Sequence, residues 1–200
     1  MLSSLILAAL TLSPAGAAEY EIDPAHSSVG FKVRHLVSKT AGKFDKFTGK
    51  ISYDPAKPEA SKVEADIVAA SINTNEPKRD KHLRSPDFFD TDKFKTLTFK
   101  STKVHDVKDK TMKVDGDLTI HGVTKPVTLD VEMTGEGKDP WGNVATGFTA
   151  TTKVNRKDFG LTWNKALETG GVLVGDDIEI ALEVEAHQKA AGGDAKKAKK

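Results

Sequence analysis

A chain of 200 residues with no cysteine is long enough for one packed domain, too short for two ordinary ones with a tail, and barred from disulfide or thiolate chemistry. Its formal charge of +1 hides an asymmetry. Lys189, Lys196, Lys197, Lys199 and Lys200 crowd the last twelve residues, and the remainder carries 25 basic against 28 acidic residues, which excludes a generic nucleic-acid binder.

Residues 1–18 have an apolar centre from Leu5 to Leu12, then Pro14 and small residues up to Ala18. This reads as a secretory signal peptide and predicts a periplasmic protein. The stretch is too short for a membrane span, and the usual basic start is missing. A retained, uncleaved anchor is the alternative; with no cysteine, a lipoprotein is excluded. The domain is then 19–188. Residues 189–200 read as a disordered lysine-rich tail, capable at most of weak, transient contact with an anionic membrane or nucleic acid.

Within the domain, Glu19 to Asp23 and Ser27 to His35 read as strands, with Val29, Phe31, Val33 and His35 on one face. A third covers Ala41 to Tyr53, and Asp54-Pro55 turns it. Ser61 to Ile72 continues the alternation until the parity slips near Ala70, as a bulge would make it. Phe94 to Thr102 follows a chemically dense interval, and Val104 to Val107 extend it. Asp109-Lys110 and His121-Gly122 are turns around Met112 to Ile120. Val127, Leu129, Val131 and Met133 mark the next strand. Val144 to Val154 alternates small and threonine residues, suiting a sheet whose inner side lines a cavity. Asn155 to Phe159 reads as one helical turn that shapes an edge. Gly160 to Gly175 is a glycine-rich segment with apolar residues, expected as a flap over a mouth or groove. Ile178 to Ala186 alternates with acidic residues.

The dense interval is Asn73 to Asp90. Pro77 fits the first turn of a helix, with Thr74 or Asn75 as cap, and Pro86 ends it. Arg79, His82 and Leu83 share a side, and Asp80 can pair with Arg84. Phe88 and Phe89 then load a short connection with apolar surface. The expectation is a lid lying across the end or side of a sheet.

Four separated segments carry a family resemblance. Arg79-Asp80-Lys81-His82-Leu83-Arg84-Ser85 with Asp87-Phe88-Phe89-Asp90, the opening Tyr20-Glu21-Ile22-Asp23-Pro24-Ala25-His26-Ser27, the central Gly116 to Val127, and Asn155 to Gly160 resemble the YceI-like family of bacterial polyisoprenoid-binding proteins. Alternation alone leaves a sandwich and a closed barrel open. Long strands with internal glycines favour the barrel, and the resemblance implies an all-β, eight-stranded antiparallel lipocalin-like barrel with a short lid helix. It also implies an isoprenoid tail in the lumen.

The six histidines form no HxH or HExxH pattern, so a metal site has no local support, and only a cluster of distant histidines would supply one. No nucleophile elbow, phosphate loop or dinucleotide fingerprint occurs, so no cofactor or enzyme activity is expected. Phe31, Phe44, Phe47, Phe88, Phe99, Phe148 and Trp163 are candidate lining residues, against the simpler reading of each as solid core. Arg79, Asp80 and His82 would recognise a polar or phosphorylated headgroup, or else merely fix the lid. The expected function is a carrier that sequesters a polyprenyl or isoprenoid-quinone lipid. The alternatives are an enzyme acting on a small or lipid-like substrate, and a solid-cored structural or stress protein of the envelope. Lys32 and Arg34, and the acidic Glu179, Glu183 and Glu185, permit a homodimer without requiring one.

Overall fold

The computed structural model describes residues 16–140, 142–167 and 172–189. Most of the predicted signal segment, the lysine tail from 190 onward and residues 168–171 of the expected flap lie outside the described residues. The alternating stretches become β1 (Ala18–Ile22), β2 (Ser28–His35), β3 (Ser38–Phe44), β4 (Phe47–Tyr53), β5 (Lys62–Val68), β6 (Ile72–Asn73), β7 (Thr96–Lys108), β8 (Thr111–Ile120), β9 (Val123–Lys138), β10 (Val144–Asn155) and β11 (Val174–Gln188). One helix, α1 (Pro77–Arg84), stands between β6 and β7.

These eleven segments make eight strands of a barrel. β1 with β2, β3 with β4, and β5 with β6 are each one long strand carrying a break, because the first pair of each hairpin continues into the second. Each long strand pairs antiparallel with the next in sequence. β11 then returns to pair with β2 and β1, closing the sheet. Closure leaves most of the sheet without an exposed edge.

The breaks correct two expected strands. Ala41 to Tyr53 is interrupted at Asp45 and Lys46. The parity slip near Ala70 is no bulge but a 3-10 turn, Ala69–Ser71. The two interruptions face each other and satisfy one another's backbone: Asp45 N donates to Ser71 O at 3.1 Å, Lys46 N to Ser71 Oγ at 3.1 Å, and Val68 N to Lys46 O at 2.9 Å. Two adjacent strands can thus bend together without leaving polar groups orphaned. The turns at Asp109-Lys110 and His121-Gly122 are present as read. His121 and Gly122 both have positive φ, 53° and 74°, the geometry of a two-residue hairpin turn.

Register stacks the inward residues in levels around the tube. One level runs Phe44, Val29, Leu182, Ala150, Val131 and Met112, each opposite the next. Phe44, Met112 and Ala150 on it are buried, while Val29, Val131 and Leu182 keep part of their surface accessible although they point inward. A solid core would bury all of them, so the tube is hollow.

Gly116 shows how tightly the far wall is packed. A Cβ there would run into the Phe99 ring and approach Lys100 O at 2.7 Å. Gly116→Ala is therefore expected to lower stability by about 1–3 kcal/mol through overpacking, seen as a fall of roughly 2–12 °C in the thermal midpoint. Gly135→Ala, where nothing lies within 4 Å of the added carbon, should leave the midpoint unchanged; equal falls in both would refute the close approach.

Candidate functional site

The lid is set by capping rather than by helix propensity, since eight residues are too few to be helical on their own. Glu76, not Thr74 or Asn75, is the N-cap; its carboxylate accepts from Lys78 N at 3.2 Å and Arg79 N at 2.7 Å. Asn75 is excluded from that role by its left-handed backbone, φ 59°, because a cap needs extended geometry. Thr74 is engaged by Asp80 instead. The buried Asp80 carboxylate accepts from Thr74 N at 2.9 Å and from Thr74 Oγ1 at 2.5 Å. Arg79 completes the knot, with Nε donating to Thr74 Oγ1 at 2.7 Å and a terminal nitrogen to Thr74 O at 2.9 Å. The expected Asp80 to Arg84 pair does not form. Arg84 reaches across to the interrupted strand and donates to Ala70 O at 2.8 Å and Ile72 O at 2.7 Å, so the helix is bolted to the bend below it.

This fixing turns Leu83, Phe88 and Phe89 toward the lumen. Phe89 meets Phe44 edge-on at 5.8 Å, and Phe44 contacts Phe31 at 5.9 Å. On the lid's other side, His82 Nε2 pairs with Asp87 Oδ2 at 2.8 Å. The His82 ring stands edge-on to Trp163 at 4.8 Å and to Phe88 at 5.1 Å. The described part of the expected flap therefore packs against the lid, with Leu161 buried at the cavity wall.

The opposite end is stopped by Tyr20, Ile51, Tyr53, Phe148 and Ala186. Tyr53 meets Phe148 edge-on at 5.7 Å, and its hydroxyl lies 3.4 Å from Met133 Sδ. Burial first, and the Glu136 carboxylate second, raise both phenols above their ordinary 10.0. This floor stays neutral at any physiological pH.

Between lid and floor is a cavity of about 280 Å³ whose accessible wall is almost wholly apolar. That is close to the lower end of small-molecule pockets, about 300–1,000 Å³. Phe31, Phe44, Phe47, Phe88, Phe99 and Phe148, six of the sequence-selected residues, lie on its wall. Trp163, Arg79, Asp80 and His82 do not: the tryptophan braces the lid from outside, and Arg79 and Asp80 have their polar atoms engaged with Thr74. The wall contains no aspartate, glutamate or histidine among the described residues.

The sequence places Arg156 in an edge-shaping turn, which is present, but does not reveal its burial or its partners. The turn Arg156–Phe159 follows β10, capped by Asn155 Oδ1 accepting from Lys157 N at 3.0 Å. Arg156 is only 3 % exposed. Its guanidinium donates to Gly175 O at 2.9 Å, Trp163 O at 2.9 Å and Leu161 O, and pairs with Asp176 at 3.2 Å. Burial pulls its pKa below the ordinary 12.5, opposed by Asp176. The Asp176 carboxyl is held below its ordinary value chiefly by a hydrogen bond from Lys157. β9 and β10 stop pairing at Asp130 and Thr151, and the arginine's turn, with fully buried Phe159, packs where they part.

Comparison with known proteins places these features in a family. Residues 20–186 match the family described as YceI-like domain. The chain is 49 % identical to a UPF0312 protein of Vibrio cholerae over 150 residues, covering 74 % of this chain and 79 % of that one. Among solved structures, a Campylobacter jejuni YCEI protein aligns with TM-score 0.69 at 37 % identity, covering 84 % of this chain and 96 % of the other. A polyisoprenoid binding domain from Saccharophagus degradans, described as implicated in plant cell wall breakdown, aligns with TM-score 0.60 over 86 % of this chain and 99 % of its own. At 15 % identity this last likeness concerns the fold alone.

Proposed function

This chain belongs to the YceI-like family, and on that premise we propose that it is a periplasmic binding protein that carries an isoprenoid lipid, of polyprenyl or isoprenoid-quinone type, in its barrel. The single observation that carries the reading is the hollow, apolar lumen of about 280 Å³ between lid and floor. Each methylene moved from water onto such a wall contributes about 0.8 kcal/mol, so a prenyl chain needs length and dryness rather than a charged anchor. The branched methyls of an isoprenoid suit a wall built from Phe, Val, Ile and Leu at successive levels. Phe31, Phe44, Phe47, Phe88, Phe99 and Phe148 contact the chain in this reading. Arg79, Asp80 and His82 act on it indirectly, by holding the lid whose underside is Leu83, Phe88 and Phe89.

A solid-cored structural protein is disfavoured by the accessible inward side chains of β2 and β11. An enzyme would need convergent titratable groups facing the lumen; of those on the wall, Arg156 is committed to backbone carbonyls, the Tyr53 hydroxyl lies against Met133 Sδ, and Lys62 is solvent-exposed. Both points support binding over catalysis.

The test is native mass spectrometry of protein exported through its own leader and purified without detergent, followed by organic extraction. The expected result is a bound species with a prenyl-repeat mass, or stoichiometric uptake of an added quinone or polyprenol. Repeated recovery of empty protein that also takes up neither would overturn the proposal.

A further inference from the structure

The first long strand breaks between β1 and β2, and the break lies against the end of β11. Asp23 shapes it: Oδ1 accepts from Ala25 N at 2.9 Å, which leaves Oδ2 facing His26 Nδ1 at 2.6 Å. On β11, Glu185 and His187 project to the same spot. Glu185 Oε1 lies 3.0 Å from His187 Nε2 and 3.9 Å from His26 Nδ1, and His187 Nε2 is 3.6 Å from Asp23 Oδ2. Donor atoms of Asp23, Glu185 and His187 all fall within 4.8 Å of one another. Glu185 is itself fixed through its backbone, since Ser27 Oγ donates to Glu185 O at 3.2 Å and accepts from Glu185 N at 2.9 Å.

We propose that Asp23, His26, Glu185 and His187 form a binding site for a divalent transition-metal cation of the zinc type. Two imidazoles and two carboxylates suit zinc in both ligand type and number. Around a tetrahedral ion with bonds near 2.0–2.1 Å, adjacent donors stand roughly 3.3 Å apart. Four of the six donor separations, 2.6, 3.0, 3.6 and 3.9 Å, bracket that value; Asp23, Glu185 and His187 already converge, and the exposed His26 ring completes the set by swinging inward from the rim. Two carboxylates this close repel unless a positive charge lies between them, and a dication neutralises the pair outright.

Two separate histidine–carboxylate hydrogen bonds would be the simpler use of these groups. Such bonds call for no convergence, yet His187 lies within reach of both carboxylates and so does His26. The ligands come from the first and last strands of the barrel. A cation there would staple the seam at which the sheet closes on itself, beside the one place where the first strand is interrupted. All four positions are filled by protein groups, which marks a structural site and not a catalytic one.

The test is isothermal titration of the chelator-treated full chain with zinc chloride, paired with thermal melts. The expected result is saturable binding of one equivalent and a rise in the thermal midpoint with zinc concentration, because a ligand bound only by the folded state stabilises it. His26→Ala and His187→Ala should each weaken binding at least as much as removing an outer-shell partner does, about 10–100-fold. His105→Ala removes a histidine whose two ring nitrogens face different carboxylates, and should bind as the parent does. Absence of saturable binding, binding at scattered sites without defined stoichiometry, or one-equivalent binding that survives the double change of His26 and His187 would each overturn the proposal.

Discussion

Phe148→Asp is expected to empty the barrel. Phe148 is 8 % exposed, lies on the cavity wall and packs edge-on against Tyr53 at the floor. A carboxylate there faces a wall that is almost wholly apolar, and such a group holds water that a lipid would have to displace. Desolvating it costs several kcal/mol, and even about 3 kcal/mol charged against the bound state is roughly a hundredfold in affinity. Retention measured by native mass spectrometry should therefore vanish, with far-ultraviolet circular dichroism showing whether the barrel survives. Ala150→Phe tests the same volume without a charge. Ala150 faces the cavity from β10, and a ring there occupies space the ligand needs. Undiminished retention in both variants would mean that the ligand lies elsewhere.

Arg156→Ala is expected to give the largest loss of stability of any single polar change. The side chain joins the turn after β10, the segment through Trp163 and the start of β11 by donating to Leu161, Trp163 and Gly175 carbonyls and pairing with Asp176. Truncation leaves buried acceptors without donors and a carboxylate without its closest guanidinium. Each buried acceptor left unsatisfied costs about 1–3 kcal/mol, so losing the donors to these carbonyls amounts to about 3–5 kcal/mol, a fall of roughly 6–20 °C for a domain of this size. Arg156→Lys keeps the charge but loses the fork, and should fall between the parent and the alanine variant. Asp176→Asn should cost less than Arg156→Ala, because Asp176 is partly exposed, with its side chain 34 % accessible. A melt of Arg156→Ala within about 2–4 °C of the parent, the equivalent of one kcal/mol, would show that the clasp is not structural.

Local patterns were readable where the physics is local. Alternation located the strands, Pro77 and Pro86 bracketed the lid helix, and Asp109-Lys110 and His121-Gly122 marked two of the hairpin turns. Barrel and sandwich demand the same alternation, so periodicity left that choice open, and the family resemblance decided it. The slip at Ala70 was visible, but its cause lies in Asp45 and Lys46, about two dozen residues earlier. Arg84 looked like the natural partner of Asp80, one helical turn away. It instead serves the carbonyls of Ala70 and Ile72, while the buried Asp80 carboxylate is already taken by the amide and hydroxyl of Thr74. Arg156 carried no sequence sign of burial, since its partners are carbonyls and a carbonyl has no residue identity. His26 and His187 lie at opposite ends of the chain, and no spacing rule joins them.

The seam between β1 and β11 has a bearing on how the molecule is made. Tyr20 sits opposite Gln188, and Ile22 opposite Ala186, so the last contacts needed to shut the tube join the first and last strands of the barrel. Pairings between remote parts of a chain are reached slowly, since their loop entropy must be overcome before they stabilise anything. During that wait the oily faces of the meander stand open along a free margin, a template for sticking to other chains. A nascent molecule threading out from its N-terminus can form every hairpin but the final one before release. Its most vulnerable moment therefore comes just before β11 emerges.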